Sequence, residues 1–404
     1  MSESTPNDSL VPLGSVLTGI DAGHSPDLED IPANPGEWGV LKVSAIGEGR
    51  FHPEENKVVR DRRLFDPTIC VRQGDLLITR ANTAQLVGRS CIAESVPSGL
   101  MLCDKTLRLR VDERTVPARY VQLALGLDAV RRQIEVGATG TSGSMKNISQ
   151  QSIRKLMIPI HGQGYVKRIL EIINSADRSI ASAEAVIDKL KASKSGLARH
   201  LLSGVSHPVL PLNVFLAEPP RNGFSPKEVG AWTGVVTLGL GCVTADGFVP
   251  RQLKNVPEGD PRYTRAWLSD GDLLITRSNT YELVGLVGRF RDVGAPCVYP
   301  DLMMRLVPNG RVRIDFLEIA LRNMGVREQI KRMSQGTSGS MVKITGSGVA
   351  NLPISIPDLS EQDRILSVYA TAMTQISEQE REVEKLRLLK RGLVDNLLTG
   401  QLRY

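Results

Sequence analysis

Apolar residues recur along this chain in two different rhythms. Between residues 161 and 206 they step by four and three, through Ile169, Ile173, Ala176, Ile180, Ala183, Ile187, Leu190, Lys194, Leu197 and Leu201. Between 358 and 404 the same step returns with Ile365, Tyr369, Ala372, Ile376, Gln379, Val383, Leu386, Lys390, Leu393 and Leu397. A 3.5-residue seam of this length specifies a helix that pairs with another helix rather than lying on a sheet. Lys194 and Lys390 interrupt both seams at the matching position. A polar residue there costs stability but fixes register, and the same lysines also suit snorkelling near a helix end. Gly204 and Gly400 stop the helices as glycine caps do. A helix from Tyr165 to Ser203 would span roughly 58 Å at 1.5 Å per residue.

The remaining segments, 1–160 and 207–357, carry short β-type runs punctuated by glycine and proline. Trp38 to Ile46, Asp75 to Thr79, Thr106 to Val111, Val235 to Leu240 and Met303 to Val307 are examples, with helical stretches near Pro117 to Glu135 and Phe316 to Met333. An internal repeat organises all of this. Gly74-Asp75-Leu76-Leu77-Ile78-Thr79-Arg80 returns 197 residues later as Gly271 to Arg277, and both copies continue through Asn-Thr to Leu-Val-Gly. Gly140-Thr141-Ser142-Gly143-Ser144-Met145 returns after 196 residues as Gly336 to Met341, and Leu201 to Gly204 as Leu397 to Gly400. The period is too long for a solenoid, so a whole module is duplicated. The expected fold class is α+β: two similar mixed domains, 1–160 and 207–357, joined by two long helices, 161–206 and 358–404. The economical arrangement runs the second helix back antiparallel along the first, with the domains at opposite ends of a two-helix rod and a pseudo-two-fold axis between them.

Composition narrows the class. With 41% hydrophobic and 23% charged residues the chain reads as globular, and no apolar run approaches the ~20 residues of a membrane span. The polar stretch Met1 to Ser9 reads as a frayed start rather than a targeting signal. Five scattered cysteines, never spaced as CxxC, point to a reducing, cytoplasmic setting without a disulfide frame or zinc site. The net charge of +6 hints at an acidic partner, but residues 1–160 hold equal numbers of acidic and basic groups, so bulk charge does not establish nucleic-acid binding.

Catalytic motifs are missing. There is no phosphate loop and no Gly-Lys dipeptide, and Gly239-Leu240-Gly241 reads as a turn. The five histidines form no metal-ligand spacing, and the amino-methyltransferase tetrapeptide is absent. Pro26-Asp27 with Glu55-Asn56-Lys57 formally matches a magnesium nuclease pattern, but the second repeat has no equivalent. Ser142 and Ser144 have no His or Asp at a fixed spacing to activate them. Aromatics are 4% of the chain, too few for a base-stacking platform.

Two polar loops recur instead. Arg80, Asn82 and Thr83, with Arg277, Asn279 and Thr280 as their twins, supply donors that reach phosphates and base edges. The same residues also suit a hydrogen-bonded turn that closes the fold. Thr141, Ser142 and Ser144, and likewise Thr337, Ser338 and Ser340, with Lys146 and Lys343 soon after, suit an anion such as a DNA phosphate. A plain flexible loop is the alternative.

The doubled order of these motifs resembles the specificity subunit of type I restriction-modification enzymes. The likeness rests on the GDLLITR run with its Asn-Thr and Leu-Val-Gly, then GTSGSM, then Ile158-Pro159 or Ile356-Pro357, then a long helix closing in Leu-Leu-Ser-Gly or Leu-Leu-Thr-Gly. Ser360 to Ile365 matches the family's helix opening, whereas Gly164 to Ile169 lacks its Glu-Gln pair. The resemblance implies a non-catalytic subunit in which each target-recognition domain reads half of a split DNA site and the helices set the gap. It implies double-stranded DNA, two methyltransferase subunits and two motor-nuclease subunits as partners. S-adenosylmethionine, ATP and magnesium would then sit on those partners, with no cofactor or metal here. Base contacts fall where the copies differ most, Trp38 to Asp66 and Trp232 to Trp267. A reader serving another modification or defence complex, and a coiled-coil adaptor that binds only protein, are the competing readings.

Overall fold

The computed structural model describes residues 9–140, 145–203, 207–336 and 341–401, without the side chains of 194, 195 and 197–203. Thr141, Ser142, Ser144, Thr337, Ser338 and Ser340, with Gly204 and the side chains of Lys194, Leu197 and Leu201, therefore lie outside the described residues. The chain divides into two compact units, residues 1–183 with 382–404, and residues 184–381.

In the first unit, Leu76–Thr79 is a central strand of an antiparallel four-stranded sheet, between Thr106–Val111 and Ser90–Ile92, with Leu17–Ala22 at the far edge. The strand is buried on both faces, which is why it reads as an unbroken apolar run. Leu76 and Ile78 pack into a cluster with Tyr120, Val121 and Ala124 of the helix Ala118–Gly126. Leu77 faces the opposite way, into a second cluster with Val40, Leu41 and Met101 of a three-stranded sheet. The second unit repeats this plan around Leu273–Thr276: Leu273 and Ile275 pack with Phe316 and Leu317, and Leu274 with Val236 and Val298.

Each helical stretch that the sequence presents as continuous is broken in two. Ala118–Gly126 is followed by Asp128–Gly137, and Ile314–Arg322 by Met324–Arg332. The residue between them is extended in both cases, Leu127 at φ −60°, ψ 138° and Asn323 at φ −59°, ψ 138°. Leu127 uses the break to enter the core, whereas Asn323 caps the second helix by accepting from the Gly325 amide at 2.9 Å.

A short ladder closes each domain beside its own start: Ser9–Pro12 pairs with Met157–Ile160, and Val209–Pro211 with Pro353–Ser355. The long helices leave from these ladders, Gln163–Ser203 and Leu359–Leu398. At the second start Asp358 accepts from the Glu361 amide, and fully buried Gln362 bonds the backbone at Arg313, Arg311 and Pro357. The first copy lacks this Glu-Gln pair, and buried Val166 packs at the corresponding position.

The residues at the 3.5 period are the inward ones. Ile169, Ile173, Ile180, Ile187, Ile365, Ile376 and Val383 are buried, and Leu190, Tyr369, Leu386 and Leu393 half-buried. In the first unit the second helix runs antiparallel to the first, Leu397 sharing a cluster with Ile169 and Ile173 and Lys390 reaching Asp177 at 2.5 Å. Asp177 also holds Arg119 of the domain at 2.5 Å. The lysine that interrupts the seam thus forms part of a three-element ion network. His161 and Tyr165 bond the last carbonyls of the second helix, Leu398 at 3.0 Å and Leu397 at 3.4 Å, which a helix end otherwise leaves unpaired. Gly400 at φ 71° then caps it, with the Gln401 amide bonding Asn396 O at 3.0 Å. In the second unit Lys191 pairs with Glu380 at 2.8 Å.

Candidate nucleic-acid interface

The central strand delivers Arg80 and Arg277 to its exit, where three segments meet in each unit. Immediately after the arginine, Ala81–Asn82 pairs with Lys146–Asn147, and Ser278–Asn279 with Val342–Lys343. The residues that follow the second recurring stretch, Lys146 and Lys343 among them, therefore stand beside the first loop in each unit. Thr139 bridges to Asn147, and Gln335 to Lys343 in the second unit.

The arginine backbone is fixed from both sides. Arg80 N donates to Lys105 O at 2.8 Å and its carbonyl accepts from the Ile148 amide at 2.9 Å. Arg277 repeats this with Leu302 and Ile344 at the same distances. The Arg80 side chain is exposed and has no partner among the described residues. That of Arg277 is half-buried and bonds Asp301 O at 3.3 Å. Asn82 and Asn279 serve the turn: each side-chain oxygen accepts from the amide of the following threonine at 2.8 Å. Thr83 and Thr280 carbonyls accept from Val87 and Val284. A half-buried arginine then pins each loop, Arg131 to Val87 O at 2.8 Å and Arg327 to Val284 O at 2.6 Å. Burial holds both guanidiniums below their usual pKa. The asparagine side chains thus close the turn, while the side chains of Arg80, Thr83 and Thr280 are exposed.

Lys146 and Lys343 are not equivalent. Lys146 pairs with Asn82, whereas Lys343 pairs with Ser278, one position further along the ladder. Successive strand residues point to opposite faces, so the two lysines serve different sides. Val342, buried, stands at the position of Lys146. Lys146 Nζ reaches Gly140 O at 3.2 Å.

The third segment has a weaker signal in the sequence, Gly23-x-Ser25-Pro26 against Gly223-x-Ser225-Pro226. A Cβ on Gly23 would lie 1.8 Å from Leu102 O, and on Gly223 2.0 Å from Tyr299 O, so only glycine allows this approach. Ser25 and Ser225 hydroxyls donate to Asp104 and Asp301, whose amides return a bond at 3.3 Å and 3.2 Å. Asp104 precedes Lys105, which holds Arg80; Asp301 precedes Leu302, which holds Arg277. Exposed Leu86 and Met145, and Leu283 and Met341 at the matching places, lie on these same segments.

The nuclease-like residues do not assemble. Ser44 donates to Glu55 at 2.6 Å, Asn56 is buried and bonds Ala33 and Pro53 backbone, and no group of three His, Cys, Asp or Glu among the described residues is placed to hold a metal. Burial pushes the Cys91 and Cys297 thiols up to about 12, which leaves them unreactive. No helix among the described residues is long and apolar enough to cross a membrane.

No family model matches the chain. Over 149 residues, 37% of this chain, it is 34% identical to the EcoEI specificity subunit of a type I restriction enzyme from Escherichia coli. Over 290 residues, 66% of this chain, it is 21% identical to the EcoKI specificity subunit from Escherichia coli K12. The matches span 25% and 62% of those proteins. A solved chain from a study of complex assembly and conformational transition in the type I R-M system aligns over all of both chains, with a TM-score of 0.59 at 16% identity. The chain is thus similar to type I specificity subunits in sequence and shares its fold with a chain of such a system.

Proposed function

We propose that this chain is the DNA-sequence-reading subunit of a type I restriction-modification complex, each domain reading one half of a bipartite, asymmetric site. The observation that carries this reading is the duplication of the three-segment site. Each unit holds an arginine at the exit of its central strand, beside a Gly-x-Ser-Pro loop and the short strand that follows the Gly-Thr-Ser-Gly-Ser stretch in sequence. Outward arginine and backbone amides suit phosphate and base edges. The segments between Trp38 and Asp66 and between Trp232 and Trp267 share little sequence, as two different half-sites require. The paired long helices serve as the spacer and as the scaffold for two methyltransferase subunits, with two motor-nuclease subunits completing the assembly. The chain performs no catalysis. S-adenosylmethionine, ATP and magnesium reside on the partners, and the complex works in the cytoplasm.

The test is retention of duplex DNA by the chain copurified with its methyltransferase. Sequence-dependent retention that disappears without the chain is expected. Sequence-independent or absent retention would replace this reading with that of a protein-binding coiled-coil adaptor, and copurification with an unrelated enzyme would assign the reader to another complex.

A further inference from the structure

The stretches where the two domains differ most still keep one local construction. In the connection that leads to each central strand, an aspartate opens a 3-10 turn and grips the arginine two residues on. Asp61 Oδ1 accepts from Arg63 N at 3.0 Å, and Arg63 donates Nε to Oδ1 at 3.1 Å and Nη2 to Oδ2 at 2.8 Å. Asp260 holds Arg262 alike, with 2.9 Å to the amide, 2.9 Å to Nε and 2.6 Å to Nη2. Two parallel bonds fix the plane of a guanidinium. Among the described residues both Nη1 hydrogens and one on Nη2 stay unused, on side chains that are 88% and 65% exposed.

The second turn borders the Gly-x-Ser-Pro loop of its domain, and in the first domain that loop lies near Asp66, three residues beyond Arg63. Arg262 lies over the ring of Phe224 at 4.1 Å, and Phe224 sits between Gly223 and Ser225. In the first domain His24 occupies the place of Phe224. The Thr68 hydroxyl and amide, and then the nearby His24, hold the Asp66 carboxyl below its usual range. Arg262 therefore stands beside the site built by the shared segments, and Arg63 holds the same place in the turn that leads to the first central strand.

Resting on the reading of the chain as a DNA-sequence reader, we propose that Arg63 and Arg262 each read one guanine, one in each half of the site. The aspartate occupies the Nε edge, so only the Nη end is open. That end matches the two acceptors, O6 and N7, that guanine alone presents side by side in the major groove; adenine offers a donor at one of these places. A guanidinium already held flat also loses less freedom when it binds. The alternative, a local pair that only shapes a turn, has an internal control. Asp112 grips Arg114 in the same way, at 2.9 Å and 3.1 Å, beside the start of the first long helix, where Gln163 bonds Arg114 O.

The full chain in complex with its methyltransferase is used to select duplexes from a random-sequence library. The wild type enriches a two-part sequence. Arg63→Ala and Arg63→Lys each lose preference at a single guanine of one half, by roughly 5- to 150-fold, with the other half unchanged. Arg262→Ala and Arg262→Lys do the same in the other half, and Arg114→Ala changes neither. An enriched sequence identical to the wild type's, in either pair of variants, overturns the assignment for that arginine. So does a loss spread evenly over all positions, which marks a phosphate contact. A wild-type complex that enriches no sequence at all refutes sequence reading itself, and the two assignments fall with it.

Discussion

Arg108 is almost wholly enclosed, at 7% exposure, between Asp21 at 2.7 Å and Asp75 at 3.0 Å, with two backbone carbonyls taking its remaining donors. Removing one member of such a pair leaves buried charge uncompensated, so Arg108→Ala should cost about 3–5 kcal/mol in chemical denaturation. The same site gives the pH dependence a direction. Burial raises the Asp21 carboxyl, but Arg110 and Arg108 outweigh it and hold it below its usual value. A carboxyl depressed in the folded state contributes stability that is present above its unfolded pKa and lost as pH falls through the lower folded value. Acidification below about pH 4 should therefore weaken the wild type more steeply than Arg108→Ala; equal slopes would place the acid sensitivity elsewhere. Ser278 makes the opposite case. Its hydroxyl is buried without a partner among the described residues, and the first copy has Ala81 there. Ser278→Ala should raise stability by about 1 kcal/mol in thermal melts. Arg80→Ala and Arg277→Ala should each weaken DNA binding and flatten its salt dependence by about one unit of slope, and unchanged affinity in both would remove these loops from the interface.

At the scale of elements, the interruption of the helix seam has acquired a partner. Lys390 meets Asp177, which also holds Arg119, so Asp177→Ala strands two cations at once. Because these groups are a quarter to a third exposed, the expected loss is only about 1 kcal/mol, read as an earlier unfolding midpoint; no shift would return the lysine to plain snorkelling. What the sequence made legible at this scale follows from burial geometry. The long helices and the Leu-Leu-Ile-Thr strands bury a regular stripe or both faces, and periodicity or an unbroken apolar run reports that directly. The break at Leu127 left no such mark, since a leucine suits a helix as well as the extended core position it takes. The Gly-x-Ser-Pro loop escaped notice because its constraint is a missing Cβ against a distant carbonyl, and only two or three letters record it. Lys146 and Lys343 are visible as candidates, but their place beside the arginine loops comes from a two-residue ladder that no local pattern announces.

For the whole molecule, duplication separates two kinds of residue. The shared ones build the central strands, the pinned loops and the helix seams. The unshared ones lie where two half-sites would have to be distinguished, and there the gripped arginines recur by construction rather than by alignment. If the paired helices are the spacer, deleting one seven-residue block from each shortens it by about 10 Å at 1.5 Å per residue. The gap between half-sites should then contract by about three base pairs at 3.4 Å each, and an unaltered gap would reject the helices as a ruler. The central claim is tested most directly by mapping methylated bases across a genome in cells that carry the methyltransferase with or without this chain. The account predicts a chain-dependent, two-part, asymmetric sequence with a fixed gap. Methylation that ignores the presence of the chain, or follows a continuous or palindromic sequence, would contradict it.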